Sequence, residues 1–153
     1  MIFKKGELFN GPGGFALGAG WAEILDQDKN LYKVTHSWSN DICPDACETY
    51  RKNICPEAPS SVINEDVRTL NIESLSEIDA FIFGFPCNDF SNVGKRKGVN
   101  GNYGPLYTYG INILKIFKPK WFIAENVGGL QSSNDGEAFK VILKEMIEVI
   151  ALE

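Results

Sequence analysis

Two side chains in this sequence have the types and settings that covalent chemistry needs. Cys87 follows Pro86 at the end of an apolar run, in "GFPCNDFSNVGKRKG" from Gly84 to Gly98. Lys95, Arg96 and Lys97 come soon after it. A free thiol titrates near 8.5, so only a few per cent is thiolate at neutral pH. A nearby positive charge lowers that value, and each unit is worth about 1.4 kcal/mol. A cysteine so placed is either a small residue closing a strand or a nucleophile facing an anionic substrate. Glu125, in "IAEN", ends a second apolar run. An acid at such a strand end is costly to bury unless it is paired or at work. A thiol with a carboxylic acid suits addition to an electron-poor ring, the acid protonating or bonding a ring nitrogen.

A third stretch, "LFNGPGGFALG", carries Gly11, Gly13 and Gly14 between a strand and a helix. Glycines there allow positive φ and close approach of a ligand to the backbone. The helix start offers free N–H groups to an anion. The spacing is not the dinucleotide fingerprint, because Ala16 takes the place of the third glycine, and Pro12 removes one donor. A small cofactor's carboxylate fits this turn better than a pyrophosphate. Asp41, after the second strand, is placed to accept bonds from ribose hydroxyls. Asp66, after the third, is a candidate partner for an adenine amine. Alone, each reads more simply as a solvated loop carboxylate; with the glycine turn, a nucleoside cofactor is the better reading.

The elements that must position these groups alternate. "GELFNG" reads as a strand, and Gly14 to about Leu25 as a helix. "LYKVTHSW" reads as a strand, Asp45 to Lys52 as a helix, and "SSVINED" as a brief strand. "DAFIFGF" is apolar on both faces, as a central parallel strand should be. Leu106, Tyr109, Gly110, Ile113, Leu114 and Phe117 fall on one helical face that Pro119 ends. "KWFIAEN" reads as another buried strand. Asn134 is a candidate cap with Glu137 three residues on, leading a helix striped by Phe139, Ile142, Leu143, Met146, Ile147 and Ile150. This alternation predicts an α/β, doubly wound, mostly parallel sheet. Ligands bind such sheets beyond the carboxyl ends of the strands. The glycine turn, the Pro-Cys segment and Glu125 all lie at such ends, so the fold gathers them on one edge.

Bulk composition bounds the rest. With 153 residues, 44% of them hydrophobic and 23% charged, one soluble domain with a real core is expected. No apolar run is long enough to span a bilayer, and "MIFKKGELFNG" has no signal-peptide stretch. An intracellular, cytoplasmic protein with no membrane partner follows, its four cysteines reduced. Cys43, Cys47 and Cys55 do not have the paired spacing of zinc modules, and the single histidine, His36, reads as a strand residue, so no metal is expected. The formal charge of −5 weighs mildly against a free-standing nucleic-acid binder, although "GKRKG" is a local exception.

Taken in order and at these separations, "LFNGPGGFALG", "GFPCNDFS" and "ENV" closely resemble the DNA cytosine carbon-5 methyltransferases, over essentially the whole chain. The resemblance implies a Rossmann-like fold dependent on S-adenosylmethionine, which leaves as S-adenosylhomocysteine. It implies double-stranded DNA as partner, a cytosine flipped from the stack, Cys87 adding to carbon 6, and Glu125 holding N3 and the exocyclic amine. Pro86 would shape the loop presenting the thiol, with Asn126 beside the acid. Phe9 would pack on adenine; Gly11, Pro12, Gly13 and Gly14 would line the methionine portion. Asp41 would hold the ribose and Asp66 the adenine amine, with Ile42 against the ring and Val67, Phe85 and Leu106 completing the pocket. Ser91, Lys95, Arg96 and Lys97 would meet DNA phosphates. Asn88 stands where glutamine is commoner, and Tyr103 where arginine often stands. The chain stops at Glu153, before the family's target-recognition region and C-terminal motifs. It is therefore expected to be a partial catalytic domain over 1–153, inactive alone. It would be a fragment of a longer bacterial or phage-type restriction-modification enzyme, a subunit needing a complementing second chain, or a remnant. A relative acting on transfer RNA and a non-catalytic module that binds cofactor or partner remain alternatives.

Overall fold

The computed structural model describes residues 1–86 and 106–150. Its elements are β1 (Ile2–Leu8), α1 (Gly14–Trp21), β2 (Glu23–Leu25), β3 (Leu31–Asp41), α2 (Pro44–Asn53), β4 (Val62–Asn64), β5 (Ala80–Gly84), α3 (Tyr107–Phe117), β6 (Trp121–Glu125) and α4 (Glu137–Ile150). Among the described residues six strands form one sheet in the order β2-β3-β1-β5-β6, with β4 also on β3. β1 runs parallel to β3 and to β5, and β3 parallel to β4. The chain winds outward from β1 through β3 and β4, then returns to β5 and β6 on the other side of β1. This is the doubly wound plan, whose reversal at β1 opens the crevice that such folds use for ligands. β3 is long enough for one edge to take both β2, antiparallel along Leu31–Lys33, and β4, parallel along Ser39–Asp41.

The chain divides into two compact units. The first holds residues 1–83 and 117–123. Its strand ends are aligned: Leu8 pairs with Asn40 on one side and Phe83 on the other. The interior of β5 is closed on both faces, as its unbroken apolar run requires; Ala80, Phe81, Ile82 and Phe83 are all buried. Phe81 and Phe83 stack at 5.0 Å, and the Trp38 ring lies 6.2 Å from Phe81. The Trp38 indole fills the place a side chain on Gly6 would occupy, its Cζ2 standing 2.5 Å from an added Cβ. The β1–β3 register shifts at this glycine. α2 begins with Pro44 at its first turn, has Asp45 there, and ends with Arg51 and Lys52. Each suits its end of the helix dipole.

The second unit holds residues 84–116 and 124–153. In α3, Tyr107, Gly110, Ile111, Ile113 and Leu114 are buried. The Tyr107 hydroxyl donates to Glu145 Oε1 of α4 at 3.2 Å; burial and that carboxylate push the phenol up to about 12. α4 follows a 3-10 stretch, Gly128–Gly136.

Four expectations need correction. The first helix ends at Trp21, and Glu23–Leu25 is an edge strand; α1 breaks where Ala22 turns extended. β6 is not a buried strand, since it passes from half-buried Trp121 to exposed Glu125. The helix after it starts at Glu137, with Asn134 inside the preceding 3-10 stretch. Among the described side chains of α4 the row Ala138, Ile142 and Met146 is buried, whereas Phe139, Leu143 and Ile147 are 37%, 43% and 54% exposed. The apolar stripe is wider than the face that the unit covers.

Candidate functional site

The glycine turn is built by backbone geometry that few residues adopt. Phe9, at the end of β1, has φ 57, Gly11 has φ 50 and Gly13 φ 102. Three left-handed residues in five fold the chain back on itself, and only the glycines do so without strain. A bulky residue such as Phe9 in this region costs of order 1–3 kcal/mol, a cost concentrated at functional sites. Gly13 N–H donates to Asn10 O at 3.1 Å, closing the turn, and Leu17 N–H donates to Gly13 O at 2.9 Å, starting α1. The N–H groups of the first turn have no intrahelical acceptor, and Gly13, the cap, supplies no side-chain bond. A Cβ added at Gly11 or Gly14 would meet no described atom within 4 Å, so open space lies over both. Gly13 differs, because its Cβ would strike Ile54 and Tyr50.

Asp41 joins the turn to the end of β3. Its Oδ2 accepts the Gly11 N–H at 2.8 Å, and its Oδ1 accepts the Cys43 N–H at 2.8 Å. Ile42 beside it is 62% exposed, an apolar face free to cover a flat ring. Asn40 Nδ2 donates to Ile63 O and Glu65 O, and Asn64 Nδ2 donates to Asp41 O. These bonds tie the segment running into Asp66 and buried Val67 to the same edge. Asp66 Oδ1 accepts from the backbone N–H and Nε of Arg68, and chiefly that backbone bond holds its carboxyl below the usual range. The first unit thus brings Phe9, Gly11, Pro12, Gly13, Gly14, Asp41, Ile42, Asp66 and Val67 to the carboxyl ends of β1, β3 and β4. Open space over two glycines, free helix-start donors, a carboxylate and an exposed apolar face fit a nucleoside carrying an amino-acid tail.

In the second unit the decisive contact is Asn126. Its Nδ2 donates to Phe85 O at 2.8 Å, and its Oδ1 accepts the Val127 N–H at 2.9 Å. Asn126 thereby clamps the backbone beside Glu125 to the residue before half-buried Pro86. Phe85 and Leu106 are buried, and the Phe85 ring lies 6.1 Å from that of Tyr107. Phe85, Glu125, Asn126, Leu130, Phe139 and Met146 are among the residues lining a cavity of 260 Å³. Glu125 is exposed. Cys87, Ser91, Lys95, Arg96 and Lys97 lie outside the described residues. Cys47 and Cys55, which are described, are buried and their thiols raised chiefly by desolvation, the setting of inert cysteines.

Beneath the glycine turn lies a polar cluster that motif reading passed over. Lys5 and Glu7 are 2% and 1% exposed and ion-paired, and both bond the Tyr50 hydroxyl. Burial lowers the Lys5 pKa against the pull of Glu7. The Tyr50 phenol is raised by burial, then by Glu7. One signal was available: residues 5 and 7 share a strand face, so two charges there, ahead of buried Leu8, required partners.

A family model for the C-5 cytosine-specific DNA methylases matches residues 3–149. The chain belongs to the C-5 cytosine-specific DNA methylase family. The Type II methyltransferase M.BbvI of Brevibacillus brevis is 57% identical over 151 residues, 95% of this chain and 40% of that protein. M.FnuDI of Fusobacterium nucleatum, also a Type II methyltransferase, is 36% identical over 146 residues, 92% of this chain and 37% of that protein. Among solved structures, the S. pombe Dnmt2 methyltransferase matches with a TM-score of 0.60 at 22% identity, over 93% of this chain and 41% of that one. This last likeness concerns the fold. The C-5 cytosine methylase chain described here spans about two-fifths of the length of the curated relatives it matches. No helix among the described residues is long and apolar enough to cross a membrane.

Proposed function

We propose that this chain supplies the cofactor-binding and nucleophile-bearing part of an enzyme that methylates carbon 5 of cytosine in double-stranded DNA. The observation that carries the reading is the Asn126 clamp on Phe85, which ties the Glu125 backbone to the segment entering Pro86 and Cys87. S-adenosylmethionine, when bound, supplies an electrophilic methyl group. Phe9 and Ile42 cover the adenine; Asp41 accepts from the ribose hydroxyls and Asp66 from the adenine amine. Gly11, Pro12, Gly13 and Gly14 cradle the methionine portion, with Val67 on the apolar side. The Cys87 thiolate adds to carbon 6 of a flipped cytosine, forming a carbon–sulfur bond and making carbon 5 nucleophilic. Glu125 bonds N3 and the amine, which eases that addition. Methyl transfer to carbon 5 would release S-adenosylhomocysteine, and loss of the carbon-5 proton to solvent would then restore the ring double bond and expel the Cys87 thiolate. Ser91, Lys95, Arg96 and Lys97 contact phosphates.

Target recognition then falls to sequence outside this chain, on the same polypeptide or a complementing subunit, within a bacterial cytoplasmic restriction-modification system. The test joins this chain to the portion of M.BbvI outside the matched region and follows labelled methyl from S-adenosylmethionine. Transfer to cytosine in duplex DNA is expected. Transfer to folded RNA alone would move the substrate to RNA, and no transfer to either would overturn the reading.

A further inference from the structure

Tyr50 is assigned neither to catalysis nor to cofactor contact, yet it touches the glycine turn and the strand that leads into it. It is fully buried in α2. Its hydroxyl donates to Glu7 Oε2 at 2.9 Å, accepts from Lys5 Nζ at 3.1 Å, and lies 3.3 Å from His36 Nδ1 of β3. His36 Nε2 in turn lies 2.7 Å from Ser61 Oγ. The hydroxyl is therefore the shared node of a buried ion pair and an imidazole, held from β1, β3 and α2. The ring of the same residue lies under the turn: a Cβ on Gly13 would stand 3.0 Å from Tyr50 Cδ2 and 2.7 Å from Ile54 Cγ1. Hydroxyl and ring thus have separate partners. One is pinned to the strand entering the turn, and the other is the floor on which the turn rests.

A core tyrosine needed only for volume would not require a buried ion pair at its tip. Such a pair holds its place only with its bonds complete, and a phenylalanine would fill the same space. We propose that Tyr50 is a positioning residue that fixes the height of the Gly11–Gly14 turn over β1 and so sets affinity for the nucleoside cofactor. The proposal rests on the cofactor reading of that turn. Without the hydroxyl the ring is no longer anchored to Glu7 and Lys5, and the floor under Gly13 shifts. The first-turn N–H groups and the Gly11 N–H held by Asp41 move with it.

The test is calorimetric titration of the chain with S-adenosylhomocysteine, with urea unfolding of each variant alongside. Tyr50→Phe is compared with Val62→Ala, a truncation in the same buried cluster at the start of β4. Tyr50→Phe is expected to weaken binding about tenfold, and Val62→Ala less than about twofold at a comparable loss of stability. Ile54→Ala removes the other contact beneath Gly13 while leaving the Tyr50 hydroxyl in place. It is expected to weaken binding similarly, and it serves if Tyr50→Phe does not fold. Unchanged binding in Tyr50→Phe, or equal weakening in Val62→Ala, would overturn the proposal while leaving the cofactor reading intact. Failure of the unaltered chain to bind S-adenosylhomocysteine would overturn both.

Discussion

Replacing Asp41 by asparagine removes one of two acceptors that the turn and α2 share. The carboxylate takes the Gly11 N–H on one oxygen and the Cys43 N–H on the other, both at 2.8 Å. Asparagine has a single oxygen, so one N–H must face an amide NH2 instead. Bonds to a charged acceptor are worth about 1.5–3 kcal/mol each, and the surviving bond loses its charge assistance. Asp41 is half-buried, so water recovers part of this, and a net loss of about 2 kcal/mol is expected. For a chain of this size that lowers the unfolding midpoint by about 4–8 °C. The turn also loses one of its tethers to β3, the Asn10 N–H bond to Asn40 O remaining, and affinity for S-adenosylhomocysteine should fall about tenfold. Asp66→Asn is the comparator. Its partner Arg68 is exposed, so a stability change below about 1 kcal/mol is expected. Thermal unfolding and calorimetric titration read both quantities. If Asp41→Asn unfolds and binds like the unaltered chain, Asp41 is a solvated loop carboxylate, and its bond to Gly11 carries no energy.

Two further outcomes follow from the polar cluster. Burial, and then Lys5, lower His36 to about 4, below the ordinary value near 6.5. Between those values the unfolded chain takes up a proton that the folded chain refuses, so stability falls as pH drops through that window and is recovered above it. The loss in urea midpoint from pH 7 to pH 4.5 should shrink in His36→Gln; an equal loss would show that His36 does not contribute. Glu7→Gln leaves Lys5 buried without its counter-charge and should cost about 3–5 kcal/mol, whereas Lys5→Met with Glu7→Leu should recover most of it. Equal unfolding midpoints for the single and double variants would contradict the pair's role.

Much of this fold could be read from residue patterns, for reasons that particular residues make plain. "DAFIFGF" has no polar position between Ala80 and Phe83, and only a strand closed on both faces tolerates that. The glycine turn was legible because left-handed backbone at Gly11 and Gly13 leaves glycine as the unstrained choice. β2 was not, because the apolar spacing of Phe15, Ala19, Ala22 and Ile24 also suits a continuing helix. Only pairing with Leu31–Lys33 makes Glu23–Leu25 extended. The exposure of β6 was hidden for a related reason: "KWFIAEN" has a buried strand's composition, and coverage is a tertiary property. Asn126 was legible as part of "ENV", but its bond to Phe85 joins residues 41 apart. The Lys5–Glu7–Tyr50 cluster likewise needs β1 and α2 to meet.

The central claim is that Cys87 forms the covalent bond to cytosine. Its most direct measurement is trapping on duplex DNA containing 5-fluorocytosine, with S-adenosylmethionine present, by this chain joined to the unmatched portion of M.BbvI. The account predicts a protein–DNA adduct that survives denaturation and vanishes in Cys87→Ser. An adduct that persists after that substitution would contradict it, as would the absence of any adduct from an enzyme that still methylates DNA.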